Sequence, residues 1–142
     1  MPKYKYFTLQ EFIKSPTAER EGIDNTPDFD VVEHIAELTT NILEPLRAAY
    51  GKPIRVTSGY RCKKLNKAVG GVNGSAHLSG YAADLQASDM KEFKRFVCEW
   101  IQRAGIKFDQ CIIENNISEE WVHIGLYSST GSQRGQLFQL QV

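Results

Sequence analysis

The sequence predicts an α+β domain: helices first, then a small, largely antiparallel sheet with one helix crossing it. Three observations carry this. Val31, Ile35, Leu38, Ile42 and Leu46 recur at helical spacing through residues 28–50. Met90, Phe93, Val97 and Ile101 make a second helical stripe. Short apolar runs bounded by turn residues fill the second half, and residues 110–114 and 121–126 flank a turn as the two arms of a hairpin.

Taken in order, residues 1–30 read as an irregular arm with one short helix. Thr8 and Glu11 stand at capping-box spacing, and Phe12 and Ile13 are the residues this helix would bury. Pro16 and Gly22 are expected to end it, and Asp24-Asn25-Thr26-Pro27 is turn chemistry. The long helix over 28–50 contains Pro45, which lacks a backbone donor and predicts a kink there. Gly51 and Pro53 close it.

A short strand is expected at 54–57, then one or two helical turns over 62–69 and a loop rich in glycine at 70–74. Residues 81–86 read as a strand. Asp89 and Glu92 cap the crossing helix, which Gly105 ends. The tail, 128–142, is left between two readings, an edge strand or a loose end. The whole chain, 1–142, is expected to form one domain, since 142 residues suffice for a single core.

Composition narrows the function. Lys+Arg and Asp+Glu both number 17, so the net charge is zero and no basic excess points to nucleic acid. No apolar run is long enough to span a bilayer, and the start of the chain has no apolar signal region, so a cytoplasmic location until release is expected. The three cysteines, Cys62, Cys98 and Cys111, form no C-x-x-C pair and are expected as free thiols.

Chemistry concentrates in two stretches. Ser75-Ala76-His77-Leu78-Ser79-Gly80-Tyr81-Ala82-Ala83-Asp84 places a histidine and an aspartate seven positions apart, and His123 follows in Trp121-Val122-His123. Two imidazoles and one carboxylate are the side chains of a catalytic zinc site that keeps one position open. The competing reading is that each is an ordinary surface or core residue. Against it, Asp84 lies between Ala83 and Leu85, an odd place for an unpaired carboxylate. His34, on the polar side of the long helix, is left out. Cys62 with His77 is a rival nucleophile pair without a recognisable catalytic-cysteine context.

Ser75-x-His77-x-x-Gly80-x-Ala82-x-Asp84, with Ser58-Gly59-Tyr60-Arg61 and Leu65-Asn66 before it and Trp121-x-His123 after it, resembles the zinc D-Ala-D-Ala carboxypeptidase family. That family comprises peptidoglycan metallopeptidases and phage endolysins with a hedgehog-like fold. The resemblance covers roughly residues 30–127. It implies a Zn²⁺-dependent peptidase in which a zinc-bound water attacks the stem peptide of peptidoglycan, at the D-Ala-D-Ala bond or the L-Ala-D-Glu bond. It puts His77, Asp84 and His123 on the metal. An enzyme of this kind, phage or prophage encoded and working as a monomer, would wait in the cytoplasm and act on the cell wall. The alternative from another class is a non-catalytic zinc-containing module with the same fold.

The resemblance also places a glutamate three residues before the last histidine as general base, which here is Glu120. Three positions along a strand point to opposite faces, so Glu120 would need a bend near Trp121. Glu114, at the end of the preceding strand, is the competitor and Glu119 a third choice. Arg61 matches the arginine after Ser-Gly-Tyr and is expected to bind a substrate carboxylate or an oxyanion, with an ion pair to Asp84 or Asp109 as its structural alternative. Ser75 and Gln110 are expected to contact substrate or orient a ligand. Tyr60 and Trp121 are expected to pack around the site.

Overall fold

The computed structural model describes residues 3–142. The N-terminal arm holds two short helices rather than one, α1 (Leu9–Ile13) and α2 (Pro16–Glu21). Thr8 heads α1, and its N–H donates to the Glu11 carboxylate at 2.7 Å. Pro16 does not end that helix. It opens the next one, in the first-turn position where a missing N–H costs nothing. Ser15 caps α2 by accepting from the Ala18 N–H, and Gly22 ends it in the left-handed region with φ 66°. Phe7, Leu9 and Phe12 go into the core, while Ile13 stays half-buried against it.

The long amphipathic segment forms, with all five stripe residues buried. It is α3 (Phe29–Leu38), a π-helical turn (Thr39–Leu43) and α4 (Glu44–Tyr50). The wide turn stands immediately before Pro45, whose ring excludes the ordinary helical bond at that point. Gly51, at φ 76°, caps the end.

Five strands make one sheet in the order β1-β2-β4-β3-β5. They are β1 (Arg55–Ser58), β2 (Ala82–Gln86), β3 (Gln110–Asn115), β4 (Glu120–Gly125) and β5 (Gln136–Gln141). The first four pair antiparallel, and the tail resolves as an edge strand running parallel to β3. Between β1 and β2 lie α5 (Lys63–Ala68) and a 3₁₀ turn (Ala76–Ser79), and α6 (Met90–Arg103) crosses from β2 to β3.

Strand alternation divides the sheet into two faces. Ala83, Leu85, Cys111, Ile113, Val122 and Ile124 point into the core, where Phe93, Val97 and Ile101 of α6 and the α3–α4 stripe meet them. The other face carries Asp84, His123, Ile112 and Glu114, which the ladder register puts side by side. One face therefore holds the domain together and the other is free to build a site.

Candidate metal centre

The centre is built from three adjacent elements. Asp84 pairs directly with His123 across the β2–β4 ladder. His77 arrives on the 3₁₀ turn, capped by Ser75, whose hydroxyl accepts from the His77 N–H at 3.2 Å. That turn is pressed against α3: a Cβ on Gly80 would lie 2.9 Å from the Val31 carbonyl oxygen, and its φ of 85° is one only glycine adopts freely. Small size at residue 80 is thus what lets the His77 turn dock.

The three side chains converge. His77 Nε2 lies 3.3 Å and His123 Nδ1 3.0 Å from the same oxygen, Asp84 Oδ1. One ligand atom from each residue falls within 4.8 Å of the other two. His77 is 2% exposed, and its Nδ1–H donates to the Gly59 carbonyl at 2.7 Å, which leaves Nε2 with its lone pair toward Asp84. Two ligands on a tetrahedral zinc with bonds near 2.05 Å stand about 3.3 Å apart. The donor set and its spacings therefore fit zinc. Burial pushes the Asp84 carboxyl up, but the neighbouring imidazoles of His77 and His123 outweigh it and hold the group well below the usual carboxylate range. It is an anion, as a ligand must be.

Arg61 reaches the same carboxylate. Its Nη2 is 3.6 Å from Asp84 Oδ2, its Nε donates to Ser58 Oγ and its Nη1 to Asn66 Oδ1 at 2.9 Å. Asn66 is 4% exposed and also donates to the Val72 carbonyl, so it joins Arg61 to the glycine-rich loop. A Cβ on Gly71 would sit 2.0 Å from Asn66 Oδ1 and 2.6 Å from Arg61 Nη1. That loop is glycine-rich because a backbone has to pass this close to a fixed guanidinium. Asn66 was visible in the sequence only as part of a motif without a role.

The three glutamates separate. Glu114 stands opposite Trp121 in the β3–β4 ladder, one step diagonal from His123 on the same face. Glu120 pairs with Asn115 on the opposite face, where its carboxylate meets Lys94 of α6. β4 runs through this point in unbroken register, so the bend that Glu120 would need is absent. Glu119 lies in the turn between the strands. The turn 116–119 sets this register, and it is the one signal that would have placed Glu114 from sequence.

A cleft of about 950 Å³ opens over this face of the sheet and includes His77, Asp84, His123, Arg61 and Glu114. Ser75 and Gln110 line it too, and Gln110 donates to Gln136 at 2.9 Å. Tyr60 and Trp121 border it. Asp109 does not pair with Arg61. It is 2% exposed and takes Arg134 instead, Nε to Oδ1 at 2.7 Å and Nη2 to Oδ2 at 2.8 Å. Cys62 faces away from chemistry, its sulfur accepting from the Leu65 N–H at the start of α5. His34 donates its Nδ1–H to the Ser79 carbonyl at 2.7 Å and so props the far side of the His77 turn.

Residues 5–125 match the family model of peptidase M15. The chain belongs to the peptidase M15 family. The match spans the three metal-site residues, Arg61 and both strand glutamates, and it stops before the segment that carries Arg134 and β5. No curated protein matches the chain. Membership of the M15 family makes the protein a peptidase, and the family is in general zinc-dependent, in keeping with the His-Asp-His cluster.

Proposed function

We propose that this M15 peptidase is a zinc-dependent endopeptidase of peptidoglycan stem peptides, with Glu114 as its general base. The observation that carries the reading is the β3–β4 register, which sets Glu114 beside His123 on the cleft face and turns Glu120 away from it. His77, Asp84 and His123 would hold the metal. When bound, zinc supplies Lewis acidity that activates water near neutral pH and polarises the scissile carbonyl.

The chain's own residues do the rest. Glu114 accepts a proton from the attacking water and returns it to the leaving amine as the C–N bond breaks. Trp121 fixes that carboxylate by donating its indole N–H to Oε2. Arg61, immobilised by Ser58, Asn66 and Asp84, presents its guanidinium to the carbonyl oxygen as negative charge grows there. Ser75 offers a hydroxyl on the same wall.

The shape of the cleft favours an internal bond. It continues past the metal site on both sides, to Ser15 and Thr17 beyond β1 and to Leu140 and Val142 beyond β3. A peptide can pass through it, as cleavage of L-Ala-D-Glu within the stem requires and removal of a terminal D-Ala does not. No helix among the described residues is long and apolar enough to cross a membrane.

The test is incubation with purified peptidoglycan, with and without a chelator, and product identification by mass spectrometry. New L-Ala carboxyl ends that vanish with chelation and return with zinc are expected. Intact stem peptides under all conditions would leave a non-catalytic module as the better reading.

A further inference from the structure

The tail beyond the M15 match adds to the cleft wall a charged group for which the chemistry above has no use. Asp109, the residue before β3, is almost fully buried and bonds the Gly125 carbonyl through its N–H. Its carboxylate receives three donors from one residue: Arg134 Nε at 2.7 Å, Nη2 at 2.8 Å and the Arg134 backbone N–H at 3.2 Å. Arg134 itself keeps 45% of its side chain exposed, and both residues line the cleft.

A buried carboxylate that grips an exposed guanidinium by one edge fixes the other edge in space. Nη1 is left with two N–H groups and no partner among the described residues. Such a fork loses little freedom on binding a carboxylate, which is why arginine serves planar anions well. The place is also telling. Asp109 adjoins the Gln110–Gly125 pair, and Gly125 is two residues along β4 from His123, about 7 Å at strand rise. Arg61 enters the site from the β1 side, whereas Arg134 enters from the β3–β5 side. The loop around Arg134 is itself braced, with Ser128 N–H bonded to the Ser132 carbonyl and Gly135 N–H to that of Phe108.

We propose that Arg134, positioned by Asp109, is a specificity residue that binds a carboxylate on the residue next to the scissile bond. The proposal rests on the endopeptidase reading above, in which that residue is D-glutamate joined through its side chain. Its α-carboxylate is then free and lies within one residue of the reacting carbonyl. Amidation removes the charge and one of the two acceptor oxygens, so a bidentate, charge-assisted contact falls to a single neutral hydrogen bond.

The experiment compares two synthetic stem peptides, one with the D-glutamyl carboxylate free and one with it amidated, on the zinc-loaded full chain. Wild type is expected to favour the free acid about tenfold or more in kcat/KM, on the scale of a charge-assisted hydrogen bond. Arg134→Gln is expected to cut the free-acid peptide at least tenfold, down toward the amidated one, and to lower the amidated one far less, so that the preference between the two is lost. Arg134→Lys, which keeps charge but cannot hold Asp109 and substrate together, is expected to lose most of the preference. Equal use of the two peptides by wild type overturns the proposal, with no variant needed. So does a uniform loss on both peptides in Arg134→Gln, the mark of a merely structural brace. If wild type cleaves neither peptide, it is the endopeptidase reading that fails. Calorimetric binding of the same two peptides then decides the Arg134 site by itself: tighter binding of the free acid in wild type alone supports it, and equal affinities refute it.

Discussion

Glu114 and Trp121 sit opposite each other across the β3–β4 ladder, and the Trp121 indole N–H donates to the Glu114 carboxylate. The pair holds a carboxylate on the cleft-facing side of the sheet beside His123. Glu114→Gln is expected to lower kcat by 10²–10⁴-fold, the usual range for loss of a general base, while zinc content stays at one equivalent. Glu120→Gln, which removes only a partner of Lys94, is expected to keep kcat within about twofold. Steady-state kinetics with metal analysis checks both. A dead Glu120→Gln and an active Glu114→Gln would return the role to Glu120.

Metal should stabilise the protein by mass action, through the side chains of His77, Asp84 and His123. At a free zinc concentration 100 times the dissociation constant the gain is about 2.7 kcal/mol, visible as a rise in Tm over the chelated protein. His77→Ala is expected to abolish that rise, since its Nε2 is aimed at Asp84 by the bond from Nδ1 to Gly59. Thermal melts with and without zinc, alongside metal analysis, make the measurement. One equivalent of zinc retained by His77→Ala would contradict the ligand set.

Gly59 is where the site meets the arm. A Cβ there would lie 2.6 Å from both the Cα and the carbonyl oxygen of Phe12, backbone atoms that cannot step aside. The same segment supplies the carbonyl that orients His77. Gly59→Ala is expected to cost about 1–3 kcal/mol or more by overpacking, read as a lower midpoint in urea at unchanged slope. It should weaken zinc binding as well. A variant of wild-type stability would mean that the arm gives way at this contact.

The Asp109–Arg134 pair makes a pH prediction. Burial pushes the Asp109 carboxyl up, but the hydrogen bonds and charge of Arg134 more than offset it and hold it below the usual range. A depressed carboxyl stabilises the fold above its unfolded value, near pH 4, and loses that contribution as pH falls through the lower folded value. Wild type is therefore expected to exceed Asp109→Asn in urea midpoint at pH 7, with the gap closing below about pH 4. A gap that stays constant down to pH 2 would exclude the pairing as its source.

Thiol chemistry should be irrelevant to activity. Burial pushes the Cys111 thiol up to about 12, and Cys62 Sγ faces the start of α5. Alkylation of the native protein at pH 8 is expected to spare Cys111, and peptidase activity is expected to survive it. Loss of activity on alkylation, with no effect of chelators, would favour the cysteine reading.

What could be read from the sequence was whatever local pattern decides. The stripe from Val31 to Leu46 and that from Met90 to Ile101 needed only helical period, and all their residues are buried except Met90, which is half-buried at the start of α6. His77, Asp84 and His123 stood out by residue type and setting, and the fold brings their ligand atoms together. Long-range register was harder. Whether Glu114 or Glu120 shares a face with His123 depends on the length of the turn between β3 and β4, and a motif counted along one strand ignores that. Pro16 reads as a stop in a helical pattern and a start in a capped one, and Ser15 before it decides for a start. The partner of Asp109 lay 25 residues downstream in a polar loop, where no periodicity marks it. The tail joined β3 in parallel, a choice that depends on which edge of the finished sheet is free.

Asp84 and His123 stand on β2 and β4, interior strands that are hydrogen-bonded on both sides. The part of the chain that would grip the ion is therefore also the part expected to open last, and its amide protons should be among the slowest to exchange with solvent. A zinc finger spends its binding energy on folding. Here the hydrophobic core has already assembled the receptor, so the apoprotein should remain a stable, reloadable scaffold, and nearly all of the ion's binding energy is free to appear as affinity.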